Sequence, residues 1–294
     1  MIGPQSKFIS GQRLHLQHGP IDLIIQVWGK NRQQAFSQAE ARFQNILPCL
    51  ADELDILRKP CCPRSTPTGQ VACRMSEAAK SHTDVFVTPM AAVAGAVADE
   101  VCEAMCHRLS LDKAYVNNGG DIAVHLADGH QLTSAIHAGF DVGRVTFSED
   151  QPARGLATSG WRGRSHSLGI ADAVTVVADT AANADVAATL IANAIDLPSH
   201  PAIQRAAANK LSPDSDLGDM LVTVSVEPLS DLEIETALNA GKKAALKMIN
   251  NGQIVAATLF LQNKNYTVGG MDFLKVPITT KGGNRCSTSN YARQ

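Results

Sequence analysis

The sequence predicts an α+β fold, mostly antiparallel sheet with long helices packed on it, and three observations carry that prediction. Short apolar runs recur as a meander between residues 114 and 178, joined by turns such as Asn118-Gly119-Gly120-Asp121 and Asp128-Gly129. Longer stretches at 31–58, 90–109, 181–195 and 230–250 carry helical spacing or unbroken runs of small apolar residues. Strands and helices also cluster instead of alternating, which argues against a doubly wound parallel sheet.

Taken in order, residues 21–28 (Ile-Asp-Leu-Ile-Ile-Gln-Val-Trp) read as a strand. Phe36, Phe43, Ile46, Leu47, Leu50, Leu54 and Leu57 mark a helical stripe through 31–58, which Pro48 should kink or split. Pro60, Pro63 and Pro67 with the adjacent Cys61 and Cys62 make 59–69 a loop, and 70–82 is a short helix. Thr88-Pro89 is a helix-start signal, a capping hydroxyl before a residue with no amide to leave unpaired. A helix is therefore predicted over 90–109, small and apolar until Asp99, Glu100 and Glu103. Gly95 within it costs about 1 kcal/mol against alanine, which points to close packing or to an approaching ligand.

Strands at 114–117 and 122–126 flank the double-glycine turn, and Asp128-Gly129 is expected to turn a hairpin into 131–137. Further strands are predicted at 143–147 and 156–158, with a buried one at 173–178. Beyond Leu211 come a strand at 220–226, an amphipathic helix at 230–250 capped by Ser230 or Asp231, and a strand at 254–261. Residues 276–294 are polar and glycine-containing, and a loose tail is expected there.

Composition excludes several function classes. Twenty-six Lys and Arg against 28 Asp and Glu leave no basic excess for phosphate backbones, and 4% aromatic residues offer few rings for base stacking. Nucleic acid is not an expected partner. No window reaches about 18 apolar residues, so no membrane-spanning helix is predicted. The first twelve residues lack the apolar core of a signal peptide. Seven cysteines, an odd count, are read as reduced thiols, and a cytoplasmic location is the expectation.

Four groups of residues could carry chemistry. Asp185 and Thr189 lie one helical turn apart among alanines, a carboxylate and a hydroxyl offering oxygen ligands to a hard cation. The bland alternative makes Asp185 an early-turn residue favoured by the helix dipole, with Thr189 back-bonding to a carbonyl. Asn117, Gly119, Gly120 and Asp121 form a turn that can expose consecutive amides to a ligand, or serve only as a turn. Thr158, Ser159 and Gly160 are a second such element, with hydroxyls and amides suited to phosphate, and Arg162 and Arg164 follow with guanidinium groups suited to bidentate phosphate contacts. Its alternative is a solvated hairpin end. His166 is the candidate acid or base, or a structural histidine. Cys102, Cys106 and His107 sit at helical spacing, but no Cys-x-x-Cys pairing supports a metal cluster with Cys61, Cys62 and Cys73.

The order of these pieces resembles the ApbE family, the FAD:protein FMN transferases. The resemblance runs over residues 90–195 through Gly95 to Asp99, Asn117 to Asp121, Ala157 to Gly160, Ser165-His166, Val174 to Val177, and Ala184-Asp185 to Thr189. It implies that Asp185 and Thr189 hold Mg²⁺ against the pyrophosphate of FAD, with the glycine turns around flavin and phosphates. The reaction it implies is attack by a protein threonine hydroxyl on the pyrophosphate, releasing AMP. Ala94 stands where that family has lysine, and the segment after His166 is shorter than the family's Asp-Pro-x-x-Gly insertion.

The expected organisation is an ApbE-like core at 1–210, a strand-helix-strand extension at 211–275 packed on it, and the tail at 276–294. The expected cofactors are FAD and Mg²⁺, the partner a small-molecule or nucleotide ligand, and the assembly a homo-oligomer. Two other readings remain open: an enzyme without flavin that anchors a small acidic metabolite on Arg162, Arg164 and His166, and an oligomeric binding protein whose alanine-rich helices bury their faces between subunits.

Overall fold

The computed structural model describes residues 3–61, 66–137, 141–270 and 274–275, so the expected loose tail at 276–294 and Cys62 lie outside the described residues. The chain opens with β1 (Gln5–Ile9), β2 (Arg13–His18) and β3 (Ile21–Trp28), followed by α1 (Arg32–Phe43), α2 (Ile46–Asp52), α3 (Leu54–Leu57) and α4 (Gln70–Lys80). A 3-10 turn at Pro89–Ala92 runs into α5 (Val93–Cys106). Next come β4 (Lys113–Asn118), β5 (Asp121–Leu126), β6 (Gln131–His137), β7 (Asp141–Ser148), β8 (Gly155–Ser159), β9 (Ala173–Ala178) and α6 (Ala181–Ala194). The rest is β10 (Ile203–Ala207), α7 (Ala208–Leu211), β11 (Leu221–Val226), α8 (Asp231–Asn250), β12 (Ala256–Leu261), β13 (Lys264–Gly269) and β14 (Leu274–Lys275).

The fold is α+β. Nine strands form one antiparallel sheet in the order β1-β2-β3-β4-β5-β8-β9-β12-β13, so the two strands that follow α8 join the same sheet as the N-terminal ones. A three-stranded sheet, β14-β7-β6, lies apart from it, and β10 pairs with β11. Strand sequences follow from which faces are covered. Along β3, buried and half-exposed residues alternate, because helices cover one face only. Strands β9 and β12 are buried at every residue, because the small sheet covers their second face with Leu132, Val145 and Phe147 against Val177 and Phe260.

One local expectation is met and two are corrected. The 31–58 helix breaks at Gln44–Asn45, ahead of Pro48, because in the first turn of α2 the proline's missing amide has no partner to lose. Thr88 makes no cap: its hydroxyl donates to Asp216, and the α-helix begins only at Val93. Asp128-Gly129 joins no hairpin, since the second edge of β5 is taken by β8 and β6 pairs with β7 instead. The capping box of Ser230 and Glu233 does form at the start of α8.

The crossing of α5 and α6 places everything near the candidate site. A Cβ on Gly95 would stand 2.2 Å from the Ala181 carbonyl oxygen, and one on Gly155 of β8 2.1 Å from the Thr180 backbone. Only glycines allow the start of α6 to wedge between α5 and β8. At this crossing each helix caps the other. Asp99 of α5 accepts from the Ala181 and Ala182 amides at 2.9 and 2.8 Å, while Asp185 of α6 accepts from the Gly95 amide at 3.0 Å. Both carboxylates thus meet first-turn amides that have no partner within their own helix. The small faces of α5 and α6 are covered inside the chain, against each other and the sheet.

Two outcomes are expected. Gly95→Ala should lower stability by at least the roughly 1–3 kcal/mol of an overpacked core, read from chemical denaturation; an unchanged midpoint would mean that the crossing yields freely. Burial raises the Asp99 pKa from 3.8 to about 6 against the pull of its two amides. A folded-state pKa raised above the unfolded one costs stability as pH rises between the two values. Wild type should therefore lose stability relative to Asp99→Asn across that window in thermal melts, and parallel profiles would contradict the assignment.

Candidate functional site

A cleft of about 390 Å³ opens beside the helix crossing. Its floor is set by α5, α6 and the β4–β5 turn, and its rim by the segments around residues 86–91, 164–168 and 212–217. That volume lies in the range of small-ligand sites.

Five of the residues read from the sequence as able to carry chemistry line it: Asp121, Arg164, His166, Asp185 and Thr189. Asp185 and Thr189 both open onto the cleft from one face of α6, as their spacing requires. Asp121 arrives from the first position of β5, where the two-residue turn Gly119-Gly120 (φ +67° and +120°) reverses the chain. Its carboxylate accepts from the Thr158 amide at 3.3 Å. Asn117 closes the turn by accepting from the Gly120 amide at 2.8 Å, and Asn118 ties it to α5 by donating to the Ala94 carbonyl at 3.1 Å.

The second glycine-containing element does not line the cleft. Thr158 faces Thr175 across β8 and β9, with the hydroxyls 2.9 Å apart, and Ser159 continues the strand pairing. A Cβ on Gly160 would meet the Asp172 carbonyl oxygen at 2.5 Å, so that glycine answers to backbone packing. Arg162 pairs with the buried Asp172 at 2.6 Å and lies over the Trp161 ring. These residues shape the frame; Thr158 reaches the site only through its bond to Asp121.

Arg164 is the arginine that faces the cleft. Its guanidinium lies against Gly119, where a Cβ would stand 1.9 Å from it, and it makes no direct hydrogen bond or ion pair among the described residues. It interacts electrostatically with Asp121. Opposing it are four carboxylates, Asp121, Asp185, Asp214 and Asp216. Burial pushes Asp121 up to about 7, with Arg164 and the Thr158 amide pulling the other way. Burial, and then the neighbouring charge of Asp121, holds Asp185 well above the usual carboxylate range. The cleft therefore resists carrying both negative charges unless positive charge arrives. His166 lies on the rim, 3.0 Å from the Ser212 hydroxyl.

The 212–217 segment was not legible as part of a site. It reaches the cleft through tertiary bonds, Ser212 to His166 and Thr88 to Asp216, and no motif marks it. Among the described residues no group of three or more His, Cys, Asp or Glu is arranged to hold a metal ion, and none of the helices is long and apolar enough to cross a membrane.

Comparison with known proteins places the chain among relatives. A UPF0280 protein of Methanopyrus kandleri is 39% identical over 134 residues, covering 42% of this chain and 48% of that protein. A UPF0280 protein of Methanothrix thermoacetophila is 41% identical over 113 residues, covering 37% and 46%, and one of Methanocella arvoryzae 33% over 182 residues, covering 60% and 65%. The chain spans about half the length of the first two. Among solved structures, the apo flavinyl transferase ApbE of Pseudomonas stutzeri aligns over 91% of this chain and 95% of that one, at 13% identity and a TM-score of 0.41. The family model described as AbpE bacteria matches residues 6–271, from the first strand of the large sheet past the last. The resemblance read from residues 90–195 therefore extends over nearly the whole chain, which belongs to the AbpE bacteria family.

Proposed function

We propose that the cleft binds a pyrophosphate-bearing nucleotide of the FAD type together with Mg²⁺, for chemistry related to flavinyl transfer. One observation carries this reading: two neighbouring carboxylates, Asp121 and Asp185, share the cleft with an unpaired guanidinium. The donor set fits a hard cation, because the carboxylates and the Thr189 hydroxyl are oxygen ligands and Arg164 offsets the charge of Asp121 only in part. Two carboxylates and a hydroxyl leave room for phosphate oxygens and water, as Mg²⁺ requires. When bound, such a cation lowers the cost of charge developing on a phosphoryl oxygen.

The remaining roles belong to this chain's own side chains. Arg164 takes a phosphate by its fork of N–H donors and, with Ala94 in place of lysine, is the fixed cation of the lining. The apolar wall of Met90, Ala91, Val93 and Leu190 offers a face for a ring system. His166, held by Ser212, accepts the proton of an incoming hydroxyl. Gly95, Asp99 and Gly155 position Asp185 without touching ligand.

Calorimetry on the full chain with FAD, FMN, ADP and phosphate, each with and without Mg²⁺, tests the reading. FAD and ADP should bind in the presence of Mg²⁺, and Asp185→Asn and Arg164→Gln should each weaken binding at least tenfold, about 1.4 kcal/mol. Asparagine keeps an acceptor for the Gly95 amide, so this variant separates charge from capping. Release of AMP from FAD should fall in His166→Ala while binding persists. Absence of heat with every nucleotide, or heats that ignore both variants, would refute the proposal. Binding of phosphate or small carboxylates alone would favour the acidic-metabolite reading, anchored on Arg164 without Arg162.

A further inference from the structure

A separate cleft, of about 370 Å³, opens where three helices end. The C-terminal cap of α4 (Ser81), the last residue of α6 (Ala194) and the C-terminal cap of α8 (Asn251) all line it. Two bonds hold these ends in place. The Gln253 side chain donates to the Ser81 carbonyl at 2.8 Å, and the Val85 amide donates to the His82 carbonyl at 3.2 Å. Each helix brings the negative end of its dipole, so the cleft favours positive charge. Leu190 is the wall it shares with the first cleft.

One lining side chain is buried and has no partner. His82 is 4% exposed, and its ring makes no hydrogen bond or ion pair among the described residues. The fully enclosed polar side-chain atoms without a partner lie elsewhere among those residues, at His18, Trp161 and Ser225, so the His82 nitrogens keep access to the cleft. Burial holds the ring below the usual histidine range, while Asp84 pulls it up and Lys247 presses it down. A neutral imidazole has one N–H and one bare nitrogen, and the bare nitrogen is an acceptor. With no protein donor answering it, that acceptor is open to a ligand.

We propose that this cleft binds a small apolar amine in its ammonium form, with the head on Asp84 and the bare nitrogen of His82 and the body on Leu190, Ala244 and Met248. The chain itself shows what the rim accepts. Lys247, in the last turn of α8, places its own ammonium on Asp84. Both side chains are mainly exposed, 64% and 58%, so the pair contributes little and opens readily to a competing ammonium. The other lysine at these helix ends, Lys80 of α4, is paired with Glu77 instead.

An anionic ligand fits the same walls poorly. A carboxylate would suit Lys247, but it would face Asp84 and three negative helix ends. The two charge types make opposite predictions for Lys247. Removing the lysine frees Asp84 for an amine, whereas it takes from an anion the one lysine or arginine of the described lining.

Calorimetry on the full chain with isoamylamine, isovalerate and isoamyl alcohol, which share a branched skeleton, tests the proposal. At about pH 7, where an alkylamine is charged, the amine alone should bind. Asp84→Asn should weaken it roughly threefold or more, and Lys247→Met should tighten it by up to about fivefold, the range set by an exposed ion pair. Both positions are mainly exposed, so neither variant threatens the fold. His82→Phe keeps a ring in place and should weaken the amine without making the alcohol bind. Asp185→Asn should leave amine binding unchanged, because that carboxylate lines the first cleft. Preference for isovalerate, equal binding of the alcohol, a Lys247→Met variant that loses the amine, a response to Asp185→Asn in place of Asp84→Asn, or no heat from any probe would each overturn the assignment.

Discussion

Two helices that begin side by side in a tightly packed crossing both need partners for their first amides, and in this chain each supplies the other's. Asp99 serves α6 and Asp185 serves α5. The exchange works only because Gly95 and Gly155 let backbone approach backbone, so the two glycines and the two aspartates form one device. Thr180 completes it by accepting from the Asn183 amide, leaving the start of α6 satisfied and unavailable to any anion. Removing a member would strand buried donors whose desolvation is not recovered elsewhere.

The same exchange fixes the candidate site. Asp185 is held by the Gly95 amide while also facing the cleft, and Asp121 is brought beside it by the β4–β5 turn, itself tied to Ala94 through Asn118. A carboxylate anchored from behind has few conformations to lose on meeting a cation, which is the sense in which the site is preorganised. The cost is electrostatic: two acids near each other in a poorly solvated floor both resist ionisation. Arg164 relieves Asp121 in part, and what it leaves uncompensated gives the cleft its character.

Helix α5 lines a second cleft with the later part of the same stripe. Gly95 and Asp99 face the crossing, and Cys102 and Cys106 follow at helical spacing on the second cleft. The first turn of α6 packs against Gly95 and Asp99.

Sequence alone determined what local periodicity and composition can encode. The α+β class, the buried strand β9, the Gly119-Gly120 turn, the Ser230 capping box and the shared face of Asp185 and Thr189 depend on residues within one or two turns of one another. Tertiary structure decided whatever depends on which surfaces meet. Thr88 lost its capping role to Asp216, 128 residues away, and Asp128-Gly129 lost its hairpin because β8 occupied the edge of β5. Arg162 and Arg164 are equivalent guanidinium groups in the sequence, yet Asp172 claims the first and the open side of Gly119 the second. Pairing, charge neutralisation and glycine contacts between distant segments are set by close packing in three dimensions, and one-dimensional spacing carries no record of them.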